Sequence, residues 1–77
     1  MASKRDELKA FKKLCDAFPN AYCTLDIEMK QYSTDTVTDI KYHAYASPMF
    51  ETPHLGREYK DPMEAVNEVL EHFGKEI

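Results

Sequence analysis

The sequence predicts an α+β domain in the order helix, three antiparallel strands, helix, with both helices on one face of the sheet. Three observations carry this. Apolar and polar residues alternate from Ala21 to Ala46, which is the period of a pleated strand. On either side of that stretch apolar residues recur at helical spacing, at Leu8, Phe11, Leu14, Cys15 and Phe18 and again at Met63, Val66, Val69, Leu70 and Phe73. The charges inside the alternating stretch also complement one another when its two halves are paired as a hairpin.

The first helix opens at Ser3, with Asp6 three residues on in the manner of a capping box. Lys9, Lys12 and Lys13 lie off its apolar stripe and predict a solvated basic face. Pro19 ends the helix, because a residue before proline avoids the helical region. Asn20 then suits the turn into the first strand.

The first strand places Ala21, Cys23, Leu25, Ile27 and Met29 on one side and Tyr22, Thr24, Asp26, Glu28, Lys30 and Tyr32 on the other. In the second, Ile40, Tyr42, Ala44 and Ala46 oppose Val37, Asp39, Lys41, His43 and Tyr45. Ser33, Thr34 and Asp35 are turn formers between them. If Tyr32 pairs with Val37 across the Ser33 to Thr36 loop, Lys30 faces Asp39, Glu28 faces Lys41 and Asp26 faces His43. The apolar pairs are then Met29 with Ile40, Ile27 with Tyr42 and Leu25 with Ala44. A slip of two residues sets Glu28 against Asp39 or Lys30 against Lys41, and each such pair is worth roughly 0.2–1 kcal/mol. A slip of one moves a whole apolar row to the wet side.

Ser47 to Pro53 reads as a loop, since Pro48 and Pro53 each lack a backbone donor. Met49 and Phe50 within it are expected to tuck under the core, the alternative being an exposed apolar tip that touches a partner. His54 to Lys60 predicts a short third strand with Leu55, Arg57 and Tyr59 on one side and a bulge at Gly56. Asp61, Pro62 and Glu64 start the last helix, and Gly74 supplies its left-handed stop. Glu64, Glu68 and Glu71 are expected to form an acidic ridge facing solvent.

Seventy-seven residues make one domain, 1–77, with a formal charge of −4. The charge is uneven: Lys4, Arg5, Lys9, Lys12 and Lys13 outnumber Asp6, Glu7 and Asp16 near the start, and the rest is acidic. Overall acidity argues against broad binding to phosphate backbones or anionic membranes. Cys15 and Cys23 both fall at interior positions and read as free thiols. His43, His54 and His72 lie on different elements without metal-ligand spacing. Asp26 opposite His43 is the one acid–base pair the register brings together, on an open face where water is not excluded, so it reads as a structural cross-strand pair. No enzyme, cofactor or metal is expected. Neither a signal-peptide pattern nor an apolar run of membrane length is seen, so the chain is expected in the cytoplasm and off the membrane.

The order of elements is also that of the double-stranded RNA-binding domain. That family grips phosphates at the start of its last helix, where this chain has Asp61, Pro62, Met63 and Glu64. A nucleic-acid-binding module is therefore the alternative, and direct nucleic-acid contact is not expected. The preferred expectation is a protein-binding module. Its candidate contact residues are Tyr22, Asp26, Glu28, Tyr32, Asp39 and Tyr45 on the uncovered sheet face, and Glu64, Glu68 and Glu71 on the last helix. Tyrosine offers contact area and a polar handle at low entropic cost.

In length, acidity and the lack of a catalytic set, the chain resembles small accessory proteins of bacteriophages and mobile elements, including the anti-CRISPR inhibitors. The resemblance implies a larger protein complex as partner, in the cytoplasm of a host cell, with acidic rows occupying Lys and Arg groups that normally hold phosphates. An open edge strand also allows a homodimer as a self-associating structural subunit.

Overall fold

The computed structural model describes residues 3–31 and 38–77, and the side chains of these except at 30, 31, 38 and 39. The order is α1 (Lys4–Ala17), β1 (Tyr22–Gln31), β2 (Thr38–Ser47), β3 (His54–Leu55) and α2 (Pro62–His72). The sheet is antiparallel in the order β1-β2-β3. Both helices pack on one of its faces, as the sequence predicts.

Local chemistry sets the helix ends. At α1, Asp6 N–H donates to the Ser3 hydroxyl at 3.2 Å while Ser3 N–H donates to the Asp6 carboxylate at 3.1 Å. These bonds hold the exposed Asp6 carboxyl below its ordinary range. At α2, Met63 N–H donates to the Asp61 carboxylate at 3.0 Å, and Gly74 follows the helix at φ 71°.

The hairpin register matches the charge argument pair for pair. Lys30 partners Asp39, Glu28 partners Lys41, Asp26 partners His43, and Met29, Ile27 and Leu25 partner Ile40, Tyr42 and Ala44. The Tyr32–Val37 pair and the Ser33 to Thr36 turn lie outside the described residues.

The core consists of Ala10, Leu14 and Phe18 from α1, Tyr42, Ala44 and Ala46 from β2, and Ala65, Val66, Val69 and Leu70 from α2. Alanines at positions 10, 44, 46 and 65 let the layers approach closely. Phe18 and Phe73 meet edge to face with centroids 5.3 Å apart, joining the ends of both helices. Tyr42 is the largest buried side chain, and its hydroxyl donates to Glu7 Oε2 at 2.6 Å. Burial, then this bond, pushes its phenol up to about 12.

Four expectations are corrected. Ile27 and Met29 point to the helix side yet are 42% and 66% exposed, and Leu8 on α1 is exposed beside them. α1 packs chiefly against α2 and only lightly against β1, so the strip between Leu8 and Ile27 stays open, and Met29 lies two residues farther along β1. Lys13 is not fully solvated, since its ammonium donates to the Asn67 side-chain oxygen at 2.8 Å and ties the two helices together. The third strand pairs over only two residues. Tyr45 partners Leu55, but Tyr42 bridges to Tyr59, so four residues on one side match three on the other. That bulge puts Leu55 on the open face and Tyr59 against the core, not on one side together.

Last, Met49 and Phe50 do not tuck under the core. Glu51 N–H donates to Pro48 O at 3.4 Å, closing a turn with Phe50 at its third position. There Phe50 has φ 67° and is 98% exposed.

Candidate functional site

The sheet face away from the helices is uncovered, and pleating sorts its residues into two zones. Where β1 begins and β2 ends, Thr24, Tyr45 and Leu55 stand in register across all three strands. Residues directly opposite each other share a face. Tyr22 joins this row edge to face with Tyr45, centroids 6.1 Å apart. Tyr22 is 68% and Leu55 60% exposed, so an aromatic ring and a branched aliphatic chain offer apolar area at the rim of a half-buried Tyr45.

Farther along the face is ionic. His43 Nε2 lies 3.3 Å from Asp26 Oδ2, and Lys41 Nζ lies 3.3 Å from Glu58 Oε2. Glu28 is the register partner of Lys41 and is half-buried. An apolar row beside paired polar and charged side chains has the composition of an interface centre with a polar rim.

The structure thus brings Tyr22, Asp26, Glu28 and Tyr45 onto one surface. Asp39 partners Lys30 at the far end of the hairpin, and Tyr32 lies outside the described residues. Glu64 and Glu71 are exposed on α2, behind the sheet, so they belong to a different surface.

Glu68 does not stand on a solvent ridge. Its carboxylate turns toward β3 and accepts from Arg57 N–H at 2.9 and 3.1 Å and from the Tyr59 hydroxyl at 2.9 Å. His54 Nε2 lies 3.3 Å away. Although burial opposes the charge, these bonds outweigh it and hold the carboxyl below the ordinary glutamate range. In turn, the bond that Tyr59 donates to Glu68, then burial, raises the Tyr59 phenol. Gly56 lies close to both α2 and β2: a Cβ there would lie 2.9 Å from Glu68 Oε2 and 3.3 Å from Ala44 O.

The imidazoles of His54 and His72 stack face to face, centroids 3.6 Å apart, at the mouth of a polar recess of about 390 Å³ lined also by Arg57, Tyr59, Glu68 and Glu71. Sequence spacing had kept these histidines apart, because only the β3–α2 packing brings them together. Among the described residues no group of three or more His, Cys, Asp or Glu side chains has metal-holding geometry. Cys15 and Cys23 are free and half-buried, and burial, then the neighbouring Cys15, pushes the Cys23 thiol up.

The open-face position of Leu55 was missed by pattern reading, and the exposed Phe50 tip was the less favoured of its two alternatives. The signal for Leu55 was Gly56, since one extra residue flips the face of everything before it. The signal for Phe50 was the Pro48–Pro53 bracket, which leaves too little chain to turn an aromatic back under the sheet.

These features define a small α+β domain with one uncovered, tyrosine-bearing sheet face. No protein-family model, no curated protein and no solved structure matches the chain.

Proposed function

We propose that the chain is a protein-binding module that docks a larger protein through its open sheet face. One observation carries the reading: exposed Tyr22 and Leu55 flank half-buried Tyr45 in a row across three strands, beside the Lys41–Glu58 ion pair and the His43–Asp26 contact. Large amphipathic side chains on a rigid sheet lose little freedom on contact. The acidic charges near this row suit a partner surface rich in Lys or Arg, and occupying such a surface would inhibit a protein that holds nucleic acid. Direct nucleic-acid binding is disfavoured because Asp61 and Glu64 occupy the start of α2, where an incoming phosphate would be repelled.

The test is affinity capture from extract of the source cell with the wild-type chain and with Tyr22→Ala, Leu55→Lys. The double variant should weaken a specific capture by at least about thirtyfold, the size of a hot-spot loss. Equal capture by both would move the site elsewhere. Tight binding of duplex RNA or DNA at physiological salt would favour the alternative class.

A further inference from the structure

The outer edge of β1 is a second uncovered feature, and it can be resolved to individual backbone groups. Gly56 N–H donates to Ala44 O, and Tyr42 exchanges both backbone bonds with Tyr59. Even-numbered residues of β2 therefore bond toward β3. Antiparallel ladders alternate the direction of bonding from residue to residue. The odd-numbered residues of β2 must then bond to their β1 partners Tyr22, Thr24, Asp26 and Glu28. By the same alternation Cys23, Leu25, Ile27 and Met29 present their backbone groups outward. Among the described residues no backbone bond reaches β1 from that side.

The same residues carry the sheet's apolar row. Leu25 and Ile27, with Leu8 and Phe11 of α1, form the apolar part of a groove of about 260 Å³ along this edge, flanked by Lys4 and Glu7. Ile27, Met29 and Leu8 are exposed there. The edge carries no proline and pairs with β2 at every residue, without a bulge. Asp26, Glu28 and Lys30 are the charges it carries, all at even-numbered positions, so the odd-numbered residues that present their backbone outward are uncharged along its length.

We propose that the chain forms a two-fold dimer in which two β1 strands pair antiparallel about Leu25, joining two three-stranded sheets into one continuous sheet. Charge and the length of strand engaged together favour self-pairing about Leu25: a Met29 centre sets Glu28 against Lys30 but engages only 27–31 of β1, and a Thr24 centre only 22–26. About Leu25, the strand from Tyr22 to Glu28 pairs with its own copy: Thr24 meets Asp26, Tyr22 meets Glu28, and Cys23 meets Ile27. No like charges oppose one another. Pairing about Asp26 or Glu28 sets that carboxylate against itself, and pairing about Ile27 sets Asp26 against Glu28 twice. The Leu25-centred pairing also brings the two apolar grooves together across the axis. Because the axis is normal to the sheet, both open faces end up on the same side, doubling the proposed binding surface without covering it.

Sedimentation velocity on the full chain tests this. The wild type should sediment at micromolar concentration with twice the mass of one chain. Ile27→Lys should raise the dimer dissociation constant by about a hundredfold or more, because it puts one ammonium from each chain into the apolar contact made by Leu25, Ile27 and Leu8. Ile27 is partly exposed, so the variant should keep its circular dichroism spectrum and melting transition. Leu55→Lys, on the far strand, should leave the dimer intact. With Ile27→Cys, mild oxidation should link position 27 of one chain to Cys23 of the other. A wild-type monomer at high micromolar concentration, or a dimer that survives Ile27→Lys, overturns the proposal. A link from position 27 to position 27 overturns the register. None of these outcomes alters the open face, so they bear on dimerisation separately from the partner reading.

Discussion

Single side chains here act mostly by satisfying a neighbour, and Glu68 is the clearest case. It takes three of its four hydrogen-bond contacts from the Arg57–Tyr59 segment, so it holds that segment to α2. Its carboxyl is held below the ordinary value of about 4.5. As pH falls, the unfolded chain therefore takes up this proton before the folded one does. The contribution is whole above pH 4.5 and drains away as pH falls through the lower folded value. Glu68→Gln should cost about 1.5–3 kcal/mol at neutral pH, and urea melts should show that gap shrinking below pH 4. Phe50 is the opposite case, a residue with little to lose. A bulky side chain at φ 67° is strained by roughly 1 kcal/mol, and its near-total exposure means no buried contact is given up on truncation. Phe50→Gly should therefore raise the midpoint of thermal unfolding, and a fall would show that the ring is held by contacts in solution.

At the level of elements, what was legible in the sequence is what depends on neighbours along the chain or directly across a hairpin. The Ser3–Asp6 and Asp61 caps, the Gly74 stop and the whole β1–β2 register are of this kind. What was not legible depends on how one element ends against another. Glu68 sits at helical spacing with Glu64 and Glu71, so periodicity alone makes it a surface acid; only the bulge at Gly56 brings the backbone of Arg57 within its reach. The exposure of Ile27 and Met29 follows from α1 leaning on α2 more than on β1, which periodicity does not specify. Gly56 is the junction of these effects. A methyl group there meets the Ala44 carbonyl and Val69 as well as Glu68, so Gly56→Ala should destabilise the domain by about 1–3 kcal/mol. Chemical denaturation would measure it, and a neutral result would mean that α2 can retreat from β3 at no cost.

Across the whole molecule, two charged surfaces lie on opposite sides of a thin body. The exposed acids Glu64 and Glu71 stand on α2, while Tyr22, Tyr45, Asp26 and Leu55 stand beyond the sheet. The shortest dimension of the chain is 17 Å, and exposed charges are screened over about 8 Å at physiological ionic strength. A partner seated on the open sheet would therefore feel little of the helix charges. Glu64→Lys with Glu71→Lys brings the formal charge from −4 to 0, since each exchange adds two. In physiological salt this double reversal should change partner affinity by less than about twofold, because the body separating the two surfaces is thicker than the screening length. In dilute salt, where screening reaches about 30 Å, it should slow association measurably. Surface plasmon resonance at two salt concentrations separates these effects. A loss of affinity that persists at physiological salt would place the contact on α2, and the aromatic row would then be ordinary solvent-facing sheet.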